Sequence, residues 1–242
     1  MKRSTPYHHG NLHKALLDAA VALIGEVGPR AFTLREVARR AGVSHNAPYR
    51  HFASKDELLL AVAAEGFERL AAVMRETMEP GQSARERLEL CGCGYVEFAL
   101  RWPNHLLVMF DLPPAWREQD ETRADTGLGT HDHDSLGTHV HAGLRIGEDA
   151  FQVLLDCIVA AQQAGDLPAG DPLPLAWTAW SLVHGVAKLA TGGNLPLDRQ
   201  GILAFTRSAA RAILCGLSFA PGSAEDSSAA QISSPPGPLP AV

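Results

Sequence analysis

The chain has 242 residues, 46% of them hydrophobic and 20% charged, with a formal net charge of −6, which is apolar material enough for the core of one small and one larger domain. No apolar run approaches the roughly 20 residues needed to cross a bilayer, and Met1-Lys2-Arg3 leads into Ser4-Thr5-Pro6-Tyr7-His8-His9 rather than an apolar leader, so a cytoplasmic protein with no membrane partner is expected. The charge is uneven: residues 1–55 carry nine Lys and Arg against three acids, a balance of +6, and the remainder stands at −12, so overall acidity does not exclude a nucleic-acid partner at the N-terminal end.

Residues 1–10 are polar and irregular and read as a flexible arm whose Lys2 and Arg3 have the chemistry to enter a minor groove. A first helix is expected over 11–27, stopped by Gly28-Pro29, with Leu12, Leu16, Ala19, Ala20, Leu23 and Ile24 facing inward. Thr33 and Glu36 have capping-box spacing and open a second helix, in which Leu34, Val37, Ala38 and Ala41 form the apolar face and Arg35, Arg39 and Arg40 stay outside. Gly42 follows where a left-handed residue ends a helix at least cost, and Ser44 stands ready to cap a third helix over 44–51. Pro48 falls in that helix's first turn, where its missing N–H is tolerated.

Two short helices joined by a glycine turn form a helix-turn-helix, whose second helix enters the major groove while the first crosses the backbone. Arg50 and Asn46 suit guanine and adenine edges, whereas Ser44, Tyr49, His45 and His51 suit phosphates. Ser54 and Lys55 start a further helix whose first amides, together with the lysine, suit a phosphate.

The stretch 12–67, with Leu16-Leu17-Asp18-Ala19-Ala20, Ala41-Gly42-Val43-Ser44, Tyr49-Arg50-His51-Phe52, Ser54-Lys55 and Glu57-Leu58-Leu59, closely resembles the DNA-binding domain of the TetR (tetracycline repressor-like) family. That resemblance implies phosphate contacts at Thr33, Ser44, Tyr49, His51 and Lys55 and base-facing positions at His45, Asn46, Ala47 and Arg50, with Arg35 beside them. Asn46-Ala47-Pro48 departs from the glycine, alanine and leucine that many members carry there, which bears on the operator sequence and not on the fold.

Beyond residue 54 a connecting helix runs through 55–80 and carries Leu58, Leu59, Val62, Phe67, Leu70 and Met74. Ser83 then caps a segment to Arg101, and Pro103 opens a short helix ending near Pro113-Pro114. Further helices are expected over 147–164, 173–189 and 198–217, no strand is apparent, and residues 218–242 read as a disordered tail rich in Ser, Ala, Pro and Gly. The expected class is all-α: a three-helix DNA-binding domain (11–54), the connecting helix (55–80) and a larger effector-binding and dimerisation domain (81–217). Trp180, His184 and Gly185 resemble the Trp-x-x-x-His-Gly motif of one TetR subgroup, which implies that the last two helices pair with a second subunit. Read from spacing alone, Trp180 and His184 are one turn apart on one face, as core partners or as ligand contacts.

Phe98, Trp102, Met109, Phe110, Trp116, Phe151, Trp177, Trp180 and His184 are the candidate lining of an apolar effector cavity, although aromatic residues at helical spacing equally form plain core. Cys91, Cys93, Cys157 and Cys215 lack a CxxC spacing and read as small buried hydrophobes in helices, with a zinc site from them alone improbable. Leu128-Gly129-Thr130-His131-Asp132-His133 recurs as Leu136-Gly137-Thr138-His139-Val140-His141, gathering His131, His133, His139 and His141 in a glycine-rich loop. Imidazoles two apart share a side of an extended chain and suit zinc, nickel or copper, which makes a metal-responsive regulator the alternative reading. No nucleophile elbow, phosphate loop or zinc-hydrolase motif occurs, so an enzyme is not expected, and a metal-dependent hydrolase built on the His-rich loop is the remote alternative. The sequence therefore points to a homodimeric, small-molecule-responsive regulator with no cofactor, most simply a repressor on a pseudo-palindromic DNA operator.

Overall fold

The computed structural model describes residues 9–111 and 147–218. Within them the chain forms α1 (His9–Val27), α2 (Leu34–Arg40), a 3₁₀ turn (Pro48–Arg50), α3 (Lys55–Glu76), α4 (Ala84–Arg101), α5 (Pro103–Asp111), α6 (Glu148–Gln163), α7 (Leu173–Thr191) and α8 (Arg199–Ser218), and no strand occurs among the described residues. The all-helical class and the order of elements agree with the sequence. Trp116, Pro113-Pro114, His131, His133, His139, His141 and residues 219–242 lie outside the described residues. Helix α1 starts at His9, inside the stretch expected to be a flexible arm, because no proline interrupts the chain between Pro6 and Leu12.

The N-terminal helices pack through the apolar stripe read from the sequence. Leu12, Leu16, Ala19, Ala20, Leu23 and Ile24 of α1 are all buried, against Leu34, Val37 and Ala38 of α2 and Leu58, Leu59 and Val62 of α3. Each fully buried leucine or isoleucine among them contributes roughly 1.5–3 kcal/mol. Arg40 grips Glu26 with two hydrogen bonds of 2.6 Å, a fork-to-fork pair between α2 and α1.

Helix α3 is about 33 Å long at 1.5 Å per residue and extends from the N-terminal helices into the larger bundle, where it lies against α4, α5 and α6. Its crossing with α4 is close at Gly94: a Cβ there would stand 2.8 Å from the Met74 Cα, so only glycine fits. Ser83 and Glu86 form the expected capping box at the start of α4.

Helix α8 is held to α4 by two buried carboxylates. Glu89 accepts from Arg207 Nε at 3.1 Å and Arg211 Nε at 2.8 Å, with Arg85 of its own helix nearby. Glu97 accepts from Arg199 Nε at 3.1 Å and pairs with Arg101 at 2.5 Å. Buried charges are tolerated only when paired in this way, so removal of either carboxylate leaves arginines without their partner. Of the four cysteines, Cys91 and Cys157 are buried as expected, Cys93 is half-buried and Cys215 is exposed. Cys215 lies in the last turns of α8, where its sulfur accepts from Arg85 of α4 at 3.0 Å and stays exposed, which helical spacing alone did not reveal.

Candidate functional site

The DNA-reading region is built from local chemistry. The Thr33 hydroxyl accepts from the Glu36 N–H at 3.3 Å, and the Glu36 carboxylate accepts from the Thr33 N–H at 2.7 Å, completing the capping box of α2. At the other end Gly42 has φ +69°, its N–H donates to the Arg39 carbonyl, and the Val43 N–H donates to the Ala38 carbonyl. These two bonds form a Schellman motif, and they direct the chain sharply into the next segment.

That next segment is not the α-helix expected over 44–51. It contains a turn at His45-Asn46, a bend at Ala47 and a single 3₁₀ turn, Pro48–Arg50, held by Ala47 N–H to Ser44 carbonyl (2.9 Å), Arg50 N–H to Ala47 carbonyl (3.3 Å) and His51 N–H to Pro48 carbonyl (2.9 Å). Pro48 has no N–H to give the Ser44 carbonyl, and its ring disfavours a regular α-turn before it, so the ladder closes at i to i−3 instead. The cap position of the turn is Ala47 and not the expected Ser44, whose carbonyl accepts from the Ala47 N–H. Pro48 itself is fully buried and anchors the turn.

Around this anchor Thr33, Arg35, Ser44, His45, Asn46, Tyr49 and Arg50 are exposed, while Ala47, His51 and Lys55 are half-buried. Ser54 caps α3 by accepting from the Glu57 N–H at 3.1 Å. The Lys55 ammonium donates to the Arg30 carbonyl at 2.9 Å and sits 4.6 Å from the centre of the Phe32 ring. Burial holds its pKa below the usual lysine value, against the opposing fields of Asp56 and Glu36. One of its three N–H bonds is thus used inside the chain, which ties the α1–α2 loop to the start of α3. His13 of α1 was missed by the sequence reading: its ring packs 5.0 Å from Phe52 and 5.9 Å from His51, on exposed surface beside the turn. Nothing in the local pattern marked it.

In the larger bundle, four of the candidate ligand residues converge. Phe110 of α5 lies 4.7 Å from His184 and 5.9 Å from Trp180, and Trp180 lies 6.2 Å from Phe151 and 6.3 Å from His184. The cluster gains two members not proposed from sequence. Phe67 of α3 meets Phe110 at 5.6 Å, and the Tyr95 hydroxyl of α4 is 2.8 Å from His184 Nδ1. Burial pushes the Tyr95 phenol well above its ordinary range, with a hydrogen bond involving Trp180 opposing, so the hydroxyl stays a neutral donor.

The other candidates lie elsewhere. Phe98 is fully buried and packs on Trp102 at 5.7 Å, whose face is covered by Arg69 and Arg101. Met109 packs against Gly66, and Trp177 is 49% exposed among the described residues. An open depression between α4 and α8, lined by Thr77, Cys93, Glu97, Arg101, Arg199 and Leu203 among others, contains none of the candidate ligand residues. Among the described residues no three His, Cys, Asp or Glu side chains group as a metal set, and no helix is long and apolar enough to cross a membrane.

The family model for bacterial regulatory proteins, tetR family, matches residues 16–62, and that for the tetracyclin repressor-like C-terminal domain matches residues 88–212, more than half of the chain by itself. The chain is 40% identical over 77 residues to the HTH-type transcriptional repressor KstR of Rhodococcus jostii (strain RHA1), covering 32% of this chain and 35% of that protein. It is 39% identical over 75 residues to the HTH-type transcriptional regulator BetI of Rhizobium meliloti (strain 1021), covering 31% and 37%. It therefore spans about a third of the length of these curated relatives. A protein of unknown function from Rhodococcus sp. RHA1 has the same fold, with a TM-score of 0.67 at 30% identity over 89% of this chain and 100% of that one. With both halves matched, an N-terminal helix-turn-helix and a helical C-terminal domain, the chain belongs to the tetR family of bacterial transcriptional regulators.

Proposed function

We propose that this regulator is a repressor that binds a pseudo-palindromic operator as a homodimer and is released by a small-molecule effector. The observation that carries the reading is the coincidence of a +6 charge balance over residues 1–55 with an exposed row of Ser44, His45, Asn46, Tyr49 and Arg50 around the buried Pro48. Arg50 and Asn46 are assigned to base edges, with His45 and Ala47 beside them. Thr33, Arg35, Ser44, Tyr49, His51 and Lys55 are assigned to the phosphate backbone. Residues 11–54 form the reading unit, 55–80 the connection, and 81–217 the effector and dimerisation unit. The similarity to a named repressor supports repression over activation.

A single reading unit contacts too few base pairs for selectivity, and two-fold pairing doubles the contacts and sets the half-site spacing. Trp177, Leu189, Leu197 and Phe205 are 44–49% exposed on α7, α8 and their connection, apolar surface of the kind that a second copy covers. We assign the Trp180–His184 pair, followed by Gly185, to the Trp-x-x-x-His-Gly subgroup that this stretch of sequence resembles. Its aromatic cluster with Phe110, Phe151, Phe67 and Tyr95 is the effector site, where an apolar molecule bearing one polar group meets the Tyr95–His184 hydrogen bond. Effector binding acts by population shift, favouring a dimer whose reading units no longer match successive grooves.

Selection of bound duplexes from a random DNA pool at near-physiological salt is the test. Enrichment of an inverted repeat whose half-sites are spaced by whole helical turns is the expected result. Enrichment of no sequence, or of an unpaired half-site alone, overturns the homodimeric operator-reading proposal.

A further inference from the structure

Three sulfurs from three separate parts of the chain meet inside the larger bundle. Cys91 of α4 is fully buried and Cys157 of α6 is 4% exposed. Cys91 and Cys157 sit on the packed helices α4 and α6, close enough for the Cys91 thiol to donate towards Cys157, and Cys157 Sγ lies 3.5 Å from Met78 Sδ, just past the end of α3. Met78 is half-buried and so is the most exposed of the three. The sulfurs thus form a chain, with the Cys91 thiol donating to Cys157 and the Cys157 thiol donating to the thioether.

We propose that Cys91, Cys157 and Met78 form a binding site for one soft monovalent metal ion, Cu(I) or Ag(I). Two thiols and a thioether, with no oxygen or nitrogen donor among them, are the set that soft ions select over zinc or harder cations. The spacing agrees. A three-coordinate ion with metal–sulfur bonds of about 2.3 Å, the zinc–thiolate length, needs its sulfurs about 4 Å apart, so the 3.5 Å Cys157–Met78 edge has only to open by a few tenths of an ångström. On binding, each thiol gives its proton to solvent as its sulfur–metal bond forms. The thioether donates a lone pair and loses nothing, and the metal keeps its oxidation state, so no oxidant or reductant takes part. The product carries one net negative charge. The ion would pin the end of α3 to α4 and α6, through residues remote in sequence from the His-rich repeat.

The test is an anaerobic titration of the reduced full-length chain with Cu(I) against a chromophoric copper(I) chelator, run in a Cys215→Ser background so that the exposed thiol takes no part. One equivalent is expected to resist the chelator. Cys91→Ser and Cys157→Ser should each weaken its retention at least a hundredfold, and Met78→Leu, which keeps the volume, about tenfold. Because core variants can fail to fold, X-ray absorption of the unsubstituted Cu(I)-loaded chain provides a second reading, with sulfur-only coordination expected. Nitrogen or oxygen ligation, retention unchanged in both cysteine variants, or no retained equivalent overturns the site. So does a Cys91–Cys157 disulfide formed under mild oxidation in a chain that retains no copper, which would make the pair a redox element instead.

Discussion

His105 Nε2 lies 3.7 Å from Glu65 Oε2 where α1, α3 and α5 meet, and neither that oxygen nor either ring nitrogen has a hydrogen-bond partner among the described residues. Glu65 is instead held through its other oxygen, by Arg69 Nη2 at 2.5 Å on α3 and by Lys14 at 3.2 Å on α1. The junction therefore links the reading helices to the helix that carries Phe110.

Its pH behaviour follows from the surroundings. Burial holds the His105 imidazole below its ordinary value of 6.5, against the pull of Glu65. As pH falls through 6.5 the unfolded chain takes up a proton that the folded chain refuses, so stability is lost on acidification through that range. Burial works against the Glu65 carboxylate, but the hydrogen bonds from Arg69 and Lys14 outweigh it and hold its pKa below 4.5. Its contribution is complete above 4.5 and is lost only as pH falls below that value. Scanning calorimetry should find that His105→Gln flattens the decline in thermal midpoint between about pH 7 and about pH 5.5 and leaves the steeper decline at lower pH. An unchanged profile would remove His105 from the account.

Arg50 is exposed beside the buried Pro48 and is assigned to a base edge. Arg50→Ala should weaken binding to the selected operator by about 10- to 100-fold, the equivalent of about 1–3 kcal/mol for one lost bidentate contact. It should leave affinity for unrelated duplexes within a few-fold. Fluorescence anisotropy on both DNAs distinguishes this from a general loss of charge, which weakens both equally.

Lys55 carries two roles at once, because one N–H is used on the Arg30 carbonyl and the others remain for a phosphate. Lys55→Ala should lower the thermal midpoint by about 2–4 °C, as expected for about 1 kcal/mol in a chain of this size. It should also reduce the slope of log affinity against log salt by about 0.9. A fall in stability with no change in slope would confine Lys55 to its place in the fold.

The capping boxes at Thr33–Glu36 and Ser83–Glu86, the turn at Gly42 and the inward faces of α1 and α3 were legible in the sequence because each rests on neighbours within about one helical turn. The shape of the segment at 44–51 was only half legible. Pro48 was recognised as an early-turn residue, but its missing N–H, tolerated in the first turn of an α-helix, here goes with a 3₁₀ turn instead, and the spacing of the residues does not distinguish the two. The aromatic cluster shows the same limit. Periodicity put Trp180 and His184 on one face, yet Tyr95 and Phe67 joined them across the bundle without any local sign, and Trp177 turned outward. Pairings such as Glu89 with Arg207 and Arg211 span more than a hundred residues and follow from how the helices stack.

Gly42 is required by its backbone, since φ is +69° and a Cβ would meet no neighbouring atom. Gly42→Ala should therefore cost about 1 kcal/mol of stability through left-handed strain alone, with no steric contribution. Operator affinity should fall further than this, because the Schellman turn sets the path into the DNA-facing segment. Equal stability of variant and parent, measured by urea unfolding, would contradict the strain argument.

The dimer proposal makes its sharpest prediction at Phe205, 44% exposed on α8, next to the fully buried Thr206 and three residues from the buried Ile202. A charge at an exposed position costs the monomer little, whereas at the centre of a pairing surface it leaves an unpaired carboxylate desolvated. Phe205→Asp should therefore shift sedimentation from dimer to monomer while the far-ultraviolet circular dichroism stays unchanged. Operator binding should then lose its dependence on paired half-sites and fall towards the affinity of one reading unit. A variant that still sediments as a dimer would place the subunit interface elsewhere than on α8.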